Sequence, residues 1–81
     1  MTNAIVEINL HGLRQDEAQQ ALDEALRRAD DSVYRIRVIH GYTRGTALRD
    51  MILSEYRWHE RVVRIEAGPN RGQTDLILRE Y

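Results

Sequence analysis

His40-Gly41-Tyr42-Thr43-Arg44-Gly45-Thr46-Ala47-Leu48-Arg49 follows an apolar run at residues 36–39 and leads into a helical pattern. A strand, a glycine-bounded loop and a helix start in that order aim backbone N–H groups and the positive end of a helix dipole at whatever lies above the loop. His40, Thr43, Arg44 and Arg49 can all hydrogen-bond an anion. A shorter version occurs earlier: Leu10-His11-Gly12 also stands between an apolar run and a helical pattern. The rest of the chain reads as the scaffold that brings these two His-Gly turns together.

Working outward, Ala4 to Leu10 alternates, with Val6, Ile8 and Leu10 on one face and Ile5, Glu7, Asn9 and His11 on the other. Residues 14–29 carry the clearest helical stripe: Ala18, Ala21, Leu22, Ala25, Leu26 and Ala29. Asp16 and Glu17 suit its first turn and Arg27 and Arg28 its last, but Arg14 is a poor cap. Residues 34–40 read as a second strand, with Ile36 and Val38 opposite Arg35, Arg37 and Ile39. Two strands joined through a helix are expected to be parallel, with a right-handed crossover. Both His-Gly turns then leave the same edge of the sheet, where ligands bind in open α/β folds.

Residues 46–56 predict a second helix buried through Leu48, Met51, Ile52 and Tyr56, with Thr46 as its cap. Residues 61–67 predict a third strand with Val63, Ile65 and Ala67 on one face, and residues 74–79 a fourth containing Leu76 and Leu78. The connection, Gly68-Pro69-Asn70-Arg71-Gly72-Gln73, suits a long hairpin whose tip on spacing alone is solvated. Trp58 and the four Tyr are of a type that stacks on bases, but Trp58 and Tyr56 read more simply as satellite core, and His59 as a surface residue. The expected fold is a two-layer sandwich of the α+β or α/β class, of order β-α-β-α-β-β, with a four-stranded mixed sheet and two helices.

Eighty-one residues form a single domain, 1–81, with 42% hydrophobic and 31% charged residues. No apolar run approaches the roughly 20 residues of a membrane span, and no signal-peptide pattern opens the chain. Cysteine is absent, so there is no disulfide or thiolate metal site. A cytoplasmic domain without membrane contact is the default expectation. The net charge is −1, but its distribution is uneven. Residues 1–33 carry seven acids against three Arg, and residues 34–81 carry nine Arg against six acids. All 12 basic residues are Arg, which contacts phosphate in a planar, bidentate way; genome composition gives the same bias.

Imidazole near its usual pKa of about 6.5 suits proton transfer. A single His after a strand is most simply a capping or packing residue; two at equivalent places make His11 and His40 candidates for catalysis. Two His alone do not make a zinc site, and no spacing draws Asp50 or Glu7 in as further ligands, so no metal-binding residues are assigned. The 40–49 loop is neither a P-loop nor a G-x-G-x-x-G. Gly41 and Gly45 either serve only the turn or also admit a phosphate beside Thr43, Arg44 and Arg49, with Arg71 and Gly72 near the same edge.

Three motifs in order then become familiar. Leu10-His11-Gly12-Leu13 precedes a helix with Glu17-Ala18. Val38-Ile39-His40-Gly41 leads to Gly45-Thr46-Ala47-Leu48-Arg49. Pro69-Asn70-Arg71-Gly72-Gln73-Thr74 precedes the last strand. Over about residues 5–80 this resembles the Smr (small MutS-related) domain family. The resemblance implies a fold similar to the C-terminal domain of bacterial translation initiation factor three, and nucleic acid, DNA or RNA, as partner. For a number of members it implies endonuclease activity that depends on, or is stimulated by, a divalent metal such as Mg²⁺ or Mn²⁺. His11 matches the first motif, His40, Gly41, Gly45, Leu48 and Arg49 the second, and Gly72 and Thr74 the third. The chain departs from the family in three places. Asn9 stands where the family usually has Asp, and Asn is neither a general base nor an anionic metal ligand. Thr43-Arg44 replaces an inner glycine of the second motif, and the third loop has fewer glycines. The alternative implied by these departures is a non-catalytic nucleic-acid-binding or protein-interaction module.

Overall fold

The computed structural model describes residues 4–41, 46–68 and 70–79. Its elements run β1 (Ala4–Asn9), α1 (Gln15–Arg28), β2 (Val33–Ile39), α2 (Thr46–Glu55), β3 (Arg64–Ala67) and β4 (Gln73–Ile77). The sheet order is β1-β2-β4-β3. β1 pairs parallel with β2, and β4 pairs antiparallel with both β2 and β3. This is the mixed four-stranded, two-helix architecture that the pattern of residues predicts.

Strand alternation decides what each face does. Val6, Ile8, Ile36, Val38, Leu76 and Ile65 share the inner face and join Ala18, Leu22, Leu26, Leu48, Met51, Ile52 and Tyr56 in one apolar core. Burying one Leu or Ile of this set contributes about 1.5–3 kcal/mol. α1 needs help at both ends. Arg14 cannot accept a bond from the first turn, so the Glu17 carboxylate reaches back to the Arg14 N–H at 3.0 Å. At the far end the Arg61 guanidinium donates to the carbonyls of Leu26 and Ala29, which the helix leaves without partners. α2 is tied to α1 by Tyr56, whose hydroxyl donates to Asp23 Oδ1 at 2.6 Å. Burial, and next the bond to this carboxylate, push the Tyr56 hydroxyl above the usual phenol range.

Three expectations change here. The third strand begins at Arg64, and the turn before it delivers Val62 to the core while Val63 and Ala67 are exposed. Its hydrogen bonds, His59 N–H to Tyr56 O and Val62 N–H to His59 O, shift the inward position by one residue. Trp58 is 85% exposed and is no part of the core. Thr46 is the first residue of α2, not the residue that precedes it.

The outer sheet face carries ions. Asp75 is fully buried beneath Arg35, whose Nη1 lies 2.6 Å from Asp75 Oδ2, and Arg37, whose Nε lies 3.4 Å from Oδ1. Arg35 also reaches Glu66, and the Arg64 guanidinium holds Glu66 below the usual carboxylate range. A buried carboxylate with one partner would be costly; two arginines of β2 compensate Asp75 of β4.

Candidate nucleic-acid interface

Three turns meet at the carboxyl edge of β1 and β2. β1 ends where Leu10, fully buried, donates its N–H to Ile39 O at 2.7 Å. The next side chain, His11, therefore faces outward and is exposed. Asn9 Oδ1 accepts the His11 N–H at 2.9 Å, a local turn that sets the start of the loop. Gly12 completes it at φ +83°.

Gly41 lies at φ +91°, and a Cβ there would fall 2.6 Å from His11 Cδ2. Only glycine lets the second turn pack against the His11 ring. His40 is the opposite of His11: it is 2% exposed, and both ring nitrogens are engaged. Nδ1 lies 2.9 Å from Gly41 O, and Nε2 2.8 Å from Thr74 Oγ1. A carbonyl only accepts, so Nδ1 carries the proton, and in neutral imidazole the Thr74 hydroxyl donates to Nε2.

The third turn closes the edge. Gly72 O accepts the N–H groups of His40 at 2.9 Å and Gly41 at 3.2 Å. Asn70 Oδ1 accepts the Gly72 N–H at 2.9 Å, and a Cβ on Gly72 would lie 3.4 Å from Gly41 C. The solvated tip expected from spacing is thus partly a packed element, with Gly72 buried and Asn70 and Arg71 exposed. Ile39, Gly41, Asn70, Arg71, Gly72 and Gln73 line a shallow pocket on its outer side.

Of the residues predicted from sequence, the structure brings His11, His40, Gly41, Arg71 and Gly72 to this edge. Arg49 stands on the exposed side of α2, with Nη2 3.7 Å from Asp50 Oδ1. Thr43, Arg44 and Gly45 lie outside the described residues. Asn70 and Thr74 enter the constellation as residues that set its shape. Their signals were the turn-forming Asn of Pro69-Asn70-Arg71-Gly72 and a hydroxyl on the inward face of an apolar strand. Among the described residues no three His, Asp or Glu side chains group as metal ligands. Both His40 nitrogens are engaged, and Asn9 Oδ1 accepts the His11 N–H. Glu7 lies beside Arg37 on the outer face and Asp50 on α2.

No helix among the described residues is long and apolar enough to cross a membrane. Comparison with known proteins extends the geometry. The family model described as Smr domain matches residues 8–76. The crystal structure of the Smr domain of Thermus thermophilus MutS2 aligns at a TM-score of 0.82 and 32% identity, covering 93% of this chain and 99% of that one. No curated protein sequence matches the chain. A family match over most of the chain and a shared fold at that identity lead to one conclusion: the chain belongs to the Smr domain family.

Proposed function

We propose that this Smr domain binds nucleic acid at the edge built by the turns at His11, Gly41 and Gly72. The family is associated with nucleic-acid binding and nicking. The observation that carries the reading is the close approach of Gly41 to His11. An exposed imidazole is fixed against a glycine backbone next to a second glycine turn, which is the shape a phosphate can enter. In this reading His11 meets the phosphodiester. His40 is buried, so it holds the Gly41 carbonyl and does not itself reach the backbone of the ligand. Arg49 and Arg71 flank the phosphates, and Thr43, Arg44 and Gly45 extend the same loop in sequence.

The chemistry open to this edge is phosphodiester hydrolysis in DNA or RNA, with His11 as proton donor or acceptor. A second reading, a binding module without cleavage, is favoured by Asn9, whose amide cannot take a proton where the family usually has Asp.

Binding and cleavage of branched, nicked and single-stranded DNA and of RNA, with and without Mg²⁺ or Mn²⁺, test both. Binding that weakens steeply with salt is expected, because phosphate contacts release counterions. Failure to bind any of these ligands at low salt overturns the proposal. Binding without product on any substrate selects the module. Cleavage gained on Asn9→Asp would identify the edge as a degenerate nuclease site.

A further inference from the structure

Gln73 opens β4 opposite Ile39 of β2, on the sheet face that the helices leave uncovered. Its main chain is fixed. The Gly68 N–H donates to Gln73 O at 3.1 Å, and the Gln73 N–H donates to Asn70 O at 3.2 Å. A Cβ on Gly68 would fall 2.4 Å from Gln73 Cβ, so the hairpin closes this tightly only because residue 68 has no side chain.

The side chain of Gln73 is not committed in the same way. Its Oε1 is buried and accepts no hydrogen bond, the one buried side-chain oxygen or nitrogen among the described residues in that state. Polar neighbours are all in use. Asp75, on the same face, is held by Arg35 and Arg37. Asn9 Oδ1 accepts the His11 N–H, and Asn70 Oδ1 accepts the Gly72 N–H. A buried acceptor without a donor is unfavourable, so a ligand that turns this amide and pairs with Oε1 breaks no bond of that oxygen.

Gln73 stands in the open pocket that Ile39, Gly41, Asn70 and Gly72 also line. Its volume, about 520 Å³, falls in the ~300–1,000 Å³ range of sites for small organic ligands. Ile39 supplies an apolar wall, and the Gln73 amide can donate and accept at once. Gly41 joins the pocket to the phosphate edge, because it abuts the His11 ring and lines the pocket as well.

We propose that this pocket takes an unpaired nucleobase of the strand whose phosphate lies at His11. The inference rests on the nucleic-acid reading of that edge and adds what the strand must present there. A phosphate at His11 is linked covalently to a sugar and its base, and the neighbouring pocket is the nearest site for that base. All four bases carry a donor beside an acceptor on their pairing edge, the pattern that one Gln amide can match. In a duplex the opposite strand occupies that edge and stacking hides the ring. The pocket therefore selects a base that is unpaired and unstacked, as in a single strand, a loop or a branch point.

Fluorescence anisotropy of the 81-residue chain at low salt tests this with three probes of equal length, each made as DNA and as RNA: a single strand, the same strand in a duplex, and an abasic strand. The abasic strand keeps the phosphates and lacks the bases. In at least one of the two chemistries, the single strand is expected to bind about tenfold more tightly than the abasic strand. Gln73→Leu keeps an apolar wall and removes the amide, and is expected to narrow that gap about fivefold. Its denaturation midpoint is expected at or above that of the parent, because the unpartnered acceptor is gone. Should Gln73→Leu fail to fold, the single and abasic strands on the parent chain decide alone. Equal affinity for those two strands overturns the pocket and leaves the phosphate edge standing. A folded Gln73→Leu chain with an unchanged gap overturns it too. Failure to bind any probe overturns both this inference and the reading on which it rests.

Discussion

The turns at Leu10-His11-Gly12 and Ile39-His40-Gly41 look like copies, yet the fold places their histidines in opposite ways. His11 is exposed, while His40 is 2% exposed with both nitrogens bonded. The difference is parity. Val6, Ile8 and Leu10 face the core, so the residue after Leu10 faces out. Ile36 and Val38 face the core, so His40, the next in that series, faces in. One residue of register separates a group able to meet a ligand from a group that holds the loop. The lesson is that a repeated dipeptide does not repeat a role unless its phase within the strand repeats too.

The largest effect that would test this contrast is expected from His40→Ala. It leaves the Thr74 hydroxyl and the Gly41 carbonyl without partners in a buried site, a loss of about 2–3 kcal/mol. Chemical denaturation measures it; a loss below about 0.5 kcal/mol, the usual range for surface changes, would erase the contrast. Gly41→Ala comes next. Its Cβ would overlap His11 at a backbone angle unfavourable to alanine, for a loss of about 2 kcal/mol. Gly12→Ala is the control, at about 1 kcal/mol, because its φ is also positive but nothing lies within 4 Å of the added carbon. Equal losses at the two glycines would show that the His11 contact carries no energy.

His11→Ala is expected to change stability by less than about 0.5 kcal/mol. Under the proposed function it weakens nucleic-acid binding about tenfold, which corresponds to about 1.4 kcal/mol. Fluorescence anisotropy at low salt checks this, and unchanged affinity would remove His11 from the interface. Arg49→Ala has the smallest predicted effect. A phosphate contact on an exposed helix contributes a few-fold in affinity, and its loss should lower the slope of log affinity against log salt by about one unit. An unaltered slope would place Arg49 outside the contact surface.

Much of this is legible in the sequence. Apolar alternation in β1 and β2, the stripe from Ala18 to Ala29 and the two glycine turns together gave the element order and the parallel pairing. They also placed both turns on one edge. The strand alternation likewise contained the opposite phases of the two histidines. Other features were not legible because they depend on partners distant in sequence. Asp75 reads as a stray charge in an apolar strand until Arg35 and Arg37 arrive from β2 to cover it. The partners of the Arg61 guanidinium are not near it in sequence; they are carbonyls at the end of α1.

The sequence by itself determined the order of elements, the inward faces and the edge at which the His-Gly turns emerge, because these follow from periodicity along one stretch of chain. Tertiary structure alone decided that Gly72 O accepts the N–H groups of His40 and Gly41, that Thr74 engages His40 and that Gly41 abuts His11. Those contacts join residues 30 or more positions apart, or fix a separation of a few ångströms between two turns. Local pattern specifies which way a side chain points, and only packing specifies what it meets.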